Sequence, residues 1–173
     1  FNGKKIALQF DHLESSDEII IEQNLASKSK KVKNFKDYES LLKSNNIVLD
    51  HKEREKIILK KINSTLKSKD YKEILNLKLL EEVVNIVEYP NVLLVNFNKE
   101  YLKIPQEIII STLEKHQRYF PIFDSRGRLT NNFFVVANKK DEKKFITIGN
   151  KRVVEARLAD AKFFWDKDRS KNL

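Results

Sequence analysis

The apolar residues of this chain change spacing repeatedly along its length, and that alternation constrains the fold more than any single motif. Short runs with contiguous or alternating apolar side chains give way to segments in which they recur at three and four residues, as on one helix face. Ile6 to Phe10 and Glu18 to Glu22 read as short strands around a polar turn, Glu14-Ser15-Ser16-Asp17. Lys28, Lys30, Lys31 and Lys33 follow on an extended or loop segment. Asn34, with Asp37 three residues on, caps a helix whose face carries Phe35, Tyr38, Leu41 and Leu42. Ile47 to Leu49 reads as a strand ending at Asp50. That residue, with Glu53, opens a long helix striped by Ile57, Ile58, Ile62 and Leu66.

After a polar break at Ser68 to Asp70, a helix from about Leu77 to Val87 is closed by Pro90, and Val92 to Phe97 follows as a strand. Pro105 starts a helix carrying Ile108, Ile109, Thr112 and Leu113 as far as His116. Tyr119 to Phe123 and Phe133 to Ala137 read as hairpin partners around the turn Asp124-Ser125-Arg126-Gly127-Arg128. A long last helix, about 150–168, places Val154, Leu158, Ala161 and Trp165 on one stripe. With no internal repeat and no long linker, this pattern predicts an α+β fold: one domain over 1–173, with helices packed on a mixed or antiparallel sheet.

Several functional classes are excluded. No run approaches the roughly 20 apolar residues of a membrane-spanning helix, so no membrane partner is expected. The chain has no cysteine, and its three histidines, His12, His51 and His116, lack metal-ligand spacing, so no metal site is expected. Only Gly3, Gly127 and Gly149 are glycines, too few for a glycine-rich phosphate cradle. No nucleophile-and-base motif is present, and no catalytic residue is expected. The chain opens at Phe1 without a methionine and stops at Leu173, and we expect a piece of a longer protein. Thirty-four Lys and Arg against 25 Asp and Glu leave a net charge of +9. That excess is permissive for a polyanionic partner such as RNA.

Three segments are candidates for binding, one of them the lysine cluster at residues 28 to 33, whose alternative reading is a solvated or disordered loop. In Glu114-Lys115-His116-Gln117-Arg118-Tyr119-Phe120-Pro121, basic, aromatic and hydrogen-bonding groups converge at a helix-to-strand junction, as a single-stranded RNA contact requires. The alternative is that Tyr119 and Phe120 are core, His116 caps the helix C-terminus and Arg118 is surface. In Gly149-Asn150-Lys151-Arg152 and on to Asp160, Arg157 and Asp160 share the side bearing Val153 and Phe164, the spacing of a partly buried ion pair. The residues read as RNA-binding are Lys115, His116, Gln117, Arg118, Tyr119, Lys151, Arg152 and Arg157.

The same segments carry a family resemblance. Glu88-Tyr89-Pro90 with Val92-Leu93-Leu94, then Ile104-Pro105 through Lys115, then His116-Gln117-Arg118-Tyr119-Phe120-Pro121 resemble successive passages of the bacterial glycyl-tRNA synthetase beta subunit. So do Phe134-Val135-Val136-Ala137-Asn138 and Gly149-Asn150-Lys151-Arg152-Val153-Val154 with Ala156-Arg157-Leu158-Ala159-Asp160-Ala161. The match runs in order from Leu79 to Asp168 and is highly specific in combination. The N-terminal half is similar only in outline. Where the family has a Gly-His-Arg-Phe stretch, this chain reads Glu18-Ile19-Ile20-Ile21-Glu22-Gln23-Asn24, and no role of that stretch is carried over.

The resemblance implies a segment of a cytoplasmic glycine–tRNA ligase. Its partners are an alpha subunit and tRNA-Gly in an alpha2 beta2 heterotetramer. ATP, magnesium and glycine are held by the alpha subunit, so this segment is expected to need no cofactor. It also implies a fold related to the editing-type domain of the phenylalanyl-tRNA synthetase beta subunit, with HD-type and anticodon-binding domains beyond Leu173. The leading expectation is a tRNA-binding or assembly module without its own synthetic site. An editing-type hydrolase acting on mischarged tRNA, or a purely structural spacer, are the alternatives.

Overall fold

The computed structural model describes residues 4–23, 26–72 and 75–171. They gather into two compact units, residues 1–49 and 50–173, within the span read from sequence as one domain. The architecture is α+β, and every sheet among the described residues is antiparallel.

The first unit holds two hairpins and a helix. β1 (Gln9–Phe10) pairs with β2 (Leu13–Glu14), and β3 (Glu18–Gln23) pairs with β4 (Ala26–Lys31). The turn expected at Glu14–Asp17 therefore lies earlier, at Asp11-His12. Asp11 takes the left-handed conformation (φ 52°), which aspartate tolerates better than most residues. The lysine cluster sits on and after β4, with Lys30, Lys31 and Lys33 exposed; the side chain of Lys28 lies outside the described residues. Asn34 caps α1 (Phe35–Ser44) as expected, its side chain accepting from the Asp37 N–H at 2.9 Å. Ile47–Leu49, expected as a strand, is irregular connecting chain that joins none of the sheets.

The second unit is built on a four-stranded sheet in the order β5-β7-β8-β6. Its strands are β5 (Tyr71–Lys72), β6 (Asn91–Asn96), β7 (Phe120–Asp124) and β8 (Leu129–Ala137). Alternation along the strands gives each face its own core. Val92, Ile122 and Phe134 pack with Ile58, Ile62 and Leu66 of α2 (His51–Ser68) and Leu79, Leu80, Val83 and Val84 of α3 (Leu77–Ile86). On the other face Val95, Phe133 and Val135 pack with Ile109 of α4 (Gln106–Ser111), Leu113, and Val154 and Leu158 of α5 (Phe145–Lys171). Each such side chain contributes about 1.5–3 kcal/mol relative to exposure.

Local chemistry fixes the joints. Asp50 caps α2 through the Lys52 N–H at 2.7 Å, but Ile57, expected on the buried stripe, is turned outward; the stripe is Ile58, Ile62 and Leu66, spaced at four. The β7–β8 turn closes on Asp124, which accepts from the N–H groups of Arg126 and Arg128 and pairs with the Arg128 guanidinium. Gly127 supplies the left-handed residue (φ 75°) that a three-residue hairpin loop needs. Those donated bonds, the Arg128 N–H foremost, hold the Asp124 carboxyl below the usual carboxylate range. Asn138 accepts from the N–H groups of Glu88 (2.8 Å) and Tyr89 (2.7 Å), which ties the α3 exit to the end of β8.

α5 begins at Phe145, not near 150. Asp141 accepts from the Ile146 and Thr147 N–H groups at 2.8 and 2.9 Å, satisfying donors that a helix start leaves open. Burial, the largest single influence, pushes the Asp141 carboxyl up; the bonds from Thr147 and Ile146 together outweigh it and leave it lowered. Along α5 the apolar stripe is buried at Val154 and Leu158 and only half-buried at Ala161 and Trp165. No helix among the described residues is long and apolar enough to cross a membrane.

Candidate nucleic-acid interface

The helix expected from Pro105 to His116 changes character partway. α4 ends at Ser111, and Thr112–His116 form a wider π turn, a form that often marks functional sites. The turn ends on Arg118 in the left-handed conformation (φ 59°). Its N–H donates to the Glu114 carbonyl at 3.2 Å, and the next N–H, of Tyr119, reaches the Leu113 carbonyl at 2.9 Å. Helix ends of this kind usually carry glycine, because a Cβ makes the left-handed conformation costly. An arginine there is a non-glycine exception that its surroundings must hold.

They do so through the side chain. The Arg118 Nε meets Glu82 on α3 at 2.6 Å, and Nη1 donates to the Lys115 carbonyl. A second tie runs beside it, from Asn76 Nδ2 to Glu114 Oε2 at 3.0 Å. Asn76 is also the α3 cap, so the π turn is fastened to α3 both at its cap and at Glu82 further along. Arg118 is thus partly committed to bracing the turn, while Lys115 and His116 are exposed and Gln117 is half-buried. Arg118→Gly should unfold with about 1 kcal/mol more stability than Arg118→Ala, since neither can pair with Glu82 but only alanine keeps the backbone strain. Equal stabilities in parallel denaturant titrations would contradict a strained cap.

Tyr119, expected among the RNA-contacting side chains, belongs to the core. Its ring is 9% exposed and stacks on Phe133 with centroids 5.4 Å apart. No face of it is open to a base. Burial pushes its phenol above the ordinary value, against the nearby Arg157 charge. The hydroxyl hydrogen-bonds Asn150 Oδ1, and Asn150 Nδ2 donates to the Ile146 carbonyl at 2.7 Å within α5. This contact joins two of the three candidate segments.

At 100° per residue, Arg157 lies within about 20° of Asn150 on α5 and so faces the same flank as Tyr119. Its charge is felt at the Tyr119 hydroxyl, one residue past the 115–118 turn. Lys151 does not share that flank. It sits on the opposite flank, 3.8 Å from Glu155, whose Oε1 also accepts from the Asn98 N–H at 2.9 Å. Arg152 points away from the core and is exposed. The ion pair expected between Arg157 and Asp160 does not form: both are exposed, and Val153 and Phe164 beside them are 43% and 61% exposed. With no apolar cover on that flank, nothing draws the two charges together.

The chain matches the family model described as glycyl-tRNA synthetase beta subunit over residues 1–173. It is 41% identical to the glycine–tRNA ligase beta subunit of Lactobacillus gasseri over 137 residues, covering 79% of this chain and 20% of that protein. The corresponding protein of Thermodesulfovibrio yellowstonii gives the same identity and coverage. That of Dictyoglomus thermophilum is 43% identical over 136 residues, 76% of this chain and 19% of the relative. The chain therefore spans about a fifth of the length of the curated relatives it matches.

Proposed function

The chain belongs to the glycyl-tRNA synthetase beta subunit family, and from that premise we propose that it is a tRNA-contacting and assembly segment of a glycine–tRNA ligase. The observation that supports this reading is the Tyr119–Asn150 hydrogen bond, which joins the helix carrying Arg157 to the strand entry that follows Lys115 and Arg118. An exposed group of cations held by a rigid support is what phosphate contacts need. In this reading ATP, magnesium and glycine are bound by an alpha subunit, the assembly is an alpha2 beta2 heterotetramer in the cytoplasm, and this segment performs no synthetic step.

Filter binding of the chain to tRNA across a salt series tests it. Affinity should fall with salt, with a log–log slope of about −0.7 per single-strand phosphate contact or −0.9 per duplex contact. Absence of any salt-dependent binding would leave a spacer between other parts of the enzyme. The fold relationship to the editing-type domain of the phenylalanyl-tRNA synthetase beta subunit belongs to the same proposal. Release of amino acid from mischarged tRNA by the chain would favour a hydrolase over a binding module.

A further inference from the structure

The sheet face that packs on α2 and α3 runs out of apolar side chains before it runs out of strand. β8 reads Leu129-Thr130-Asn131-Asn132 ahead of its apolar half. On the side bearing Phe134 and Val136, the earlier positions are Asn132 and Thr130. Across the ladder Asn132 stands opposite Asn96, as Phe134 stands opposite Leu94. Where the face turns polar, a cleft of about 750 Å³ opens, with Tyr71 and Leu102 also in its walls.

Its polar groups differ in what they have left to offer. Thr130 is spent, donating to the Ile122 carbonyl at 2.8 Å and accepting from the Asn132 N–H at 3.1 Å. Asn132 Nδ2 donates to the Tyr71 hydroxyl at 3.0 Å, which fixes the tyrosine at the wall and aims the amide. The Asn96 amide and the Lys99 ammonium have no hydrogen-bonding or ionic partner among the described residues. Arg128 is already paired through Nε and Nη2 with Asp124, both at 2.8 Å, so among the described residues the rim presents a single uncommitted cation.

We propose that this cleft holds one unpaired nucleotide of RNA, with Lys99 on its phosphate. The base lies against Tyr71 and Leu102, and its edge is read by the amides of Asn96 and Asn132. A carboxamide offers a donor and an acceptor side by side, the pattern base edges present, and an aromatic wall accepts any base by stacking. The volume falls within the ordinary range of small-ligand sites. One free cation beside a neutralised carboxylate suits the single negative charge of an internal phosphodiester and disfavours a nucleoside triphosphate. The cleft also adjoins the basic helix: Asn98, next to Lys99, donates to the Glu155 that pairs with Lys151. The inference rests on the reading of the chain as an RNA-contacting segment, but uses residues that reading does not.

The test is side-chain amide NMR of the chain titrated with a mixed-sequence single-stranded RNA octamer, the same RNA as a duplex, and inorganic phosphate. The Asn96 and Asn132 amide signals should move and saturate with the single strand and stay in place with the other two. Asn96→Ala combined with Lys99→Ala should weaken octamer binding at least about fivefold at 0.1 M salt, the effect of removing one cation from a single-strand phosphate, with an unchanged thermal midpoint. Equal shifts with duplex or phosphate, or unchanged octamer affinity in the variant, would overturn the cleft. Movement confined to the backbone amides of Lys115 and Arg157 would also overturn it while leaving the broader reading intact. No movement anywhere would remove both.

Discussion

Replacing Phe133 by alanine should destabilise the second unit by about 3–5 kcal/mol, the usual cost of emptying a fully buried aromatic site. The ring is fully buried, and it is the middle of a three-ring stack. Tyr119 stacks on it with centroids 5.4 Å apart at an interplanar angle of 19°, and Phe97 stacks on it at 6.3 Å and 27°. Aromatic pairs add about 0.5–1.5 kcal/mol each beyond the area they bury, which argues for the upper part of that range. Tyr119→Phe is the control. It keeps the stack and removes only the hydroxyl bonded to Asn150, so it should cost about 1 kcal/mol. Urea titrations of the three proteins decide the point. A loss under about 1.5 kcal/mol for Phe133→Ala would mean that the neighbouring helices close over the space, and that the stack is not what seats Tyr119.

The second large effect is expected in tRNA binding. Lys115→Ala combined with Arg157→Ala should weaken it by about 25- to 60-fold at 0.1 M salt, from roughly 0.7 to 0.9 logarithmic units for each phosphate left without its cation. The log–log salt slope should become shallower by about 1.4 to 1.8. Arg118 is left in place because its side chain braces the π turn, and its removal would mix a structural effect with an electrostatic one. The comparison is Lys30→Ala, Lys31→Ala and Lys33→Ala together, on the first unit. If that triple variant abolishes binding while the Lys115 and Arg157 pair leaves it unchanged, the interface is misplaced.

The second unit is readable from its residues because its elements are long and periodic. The stripe Ile58, Ile62 and Leu66 and the apolar half of β8 both declare themselves through spacing. The first unit is less readable. Its two-residue strands β1 and β2 are too short to show a period, and the turn between them depends on one aspartate adopting a left-handed backbone. β5 escapes notice for the same reason of length. In the candidate interface, the segment is visible in the sequence but the division of labour inside it is not. Tyr119 is equally suited to a base or to a core, and only the position of Phe133 decides. The cleft does leave a signal: a nine-residue strand whose first half is Leu-Thr-Asn-Asn and whose second half is apolar announces a sheet face with one wet end.

The seating of α5 has a mechanical side. A helix of 27 residues is about 40 Å long, yet its fully buried anchors, Val154 and Leu158, span a single turn in its first half. Beyond Leu158 a further 13 residues extend about 20 Å to Lys171, through the half-buried Ala161 and Trp165 to exposed side chains. Such a helix is a lever with a short bearing. A tilt of about 10° at the bearing displaces the far end by about 3–4 Å, from the 1.5 Å rise per residue. The Tyr119–Asn150 bond lies on the other side of that bearing, one turn before Val154. The first half of the rod is thus fixed through Asn150, Val154 and Leu158, and the direction of its last 13 residues is set by that short stretch.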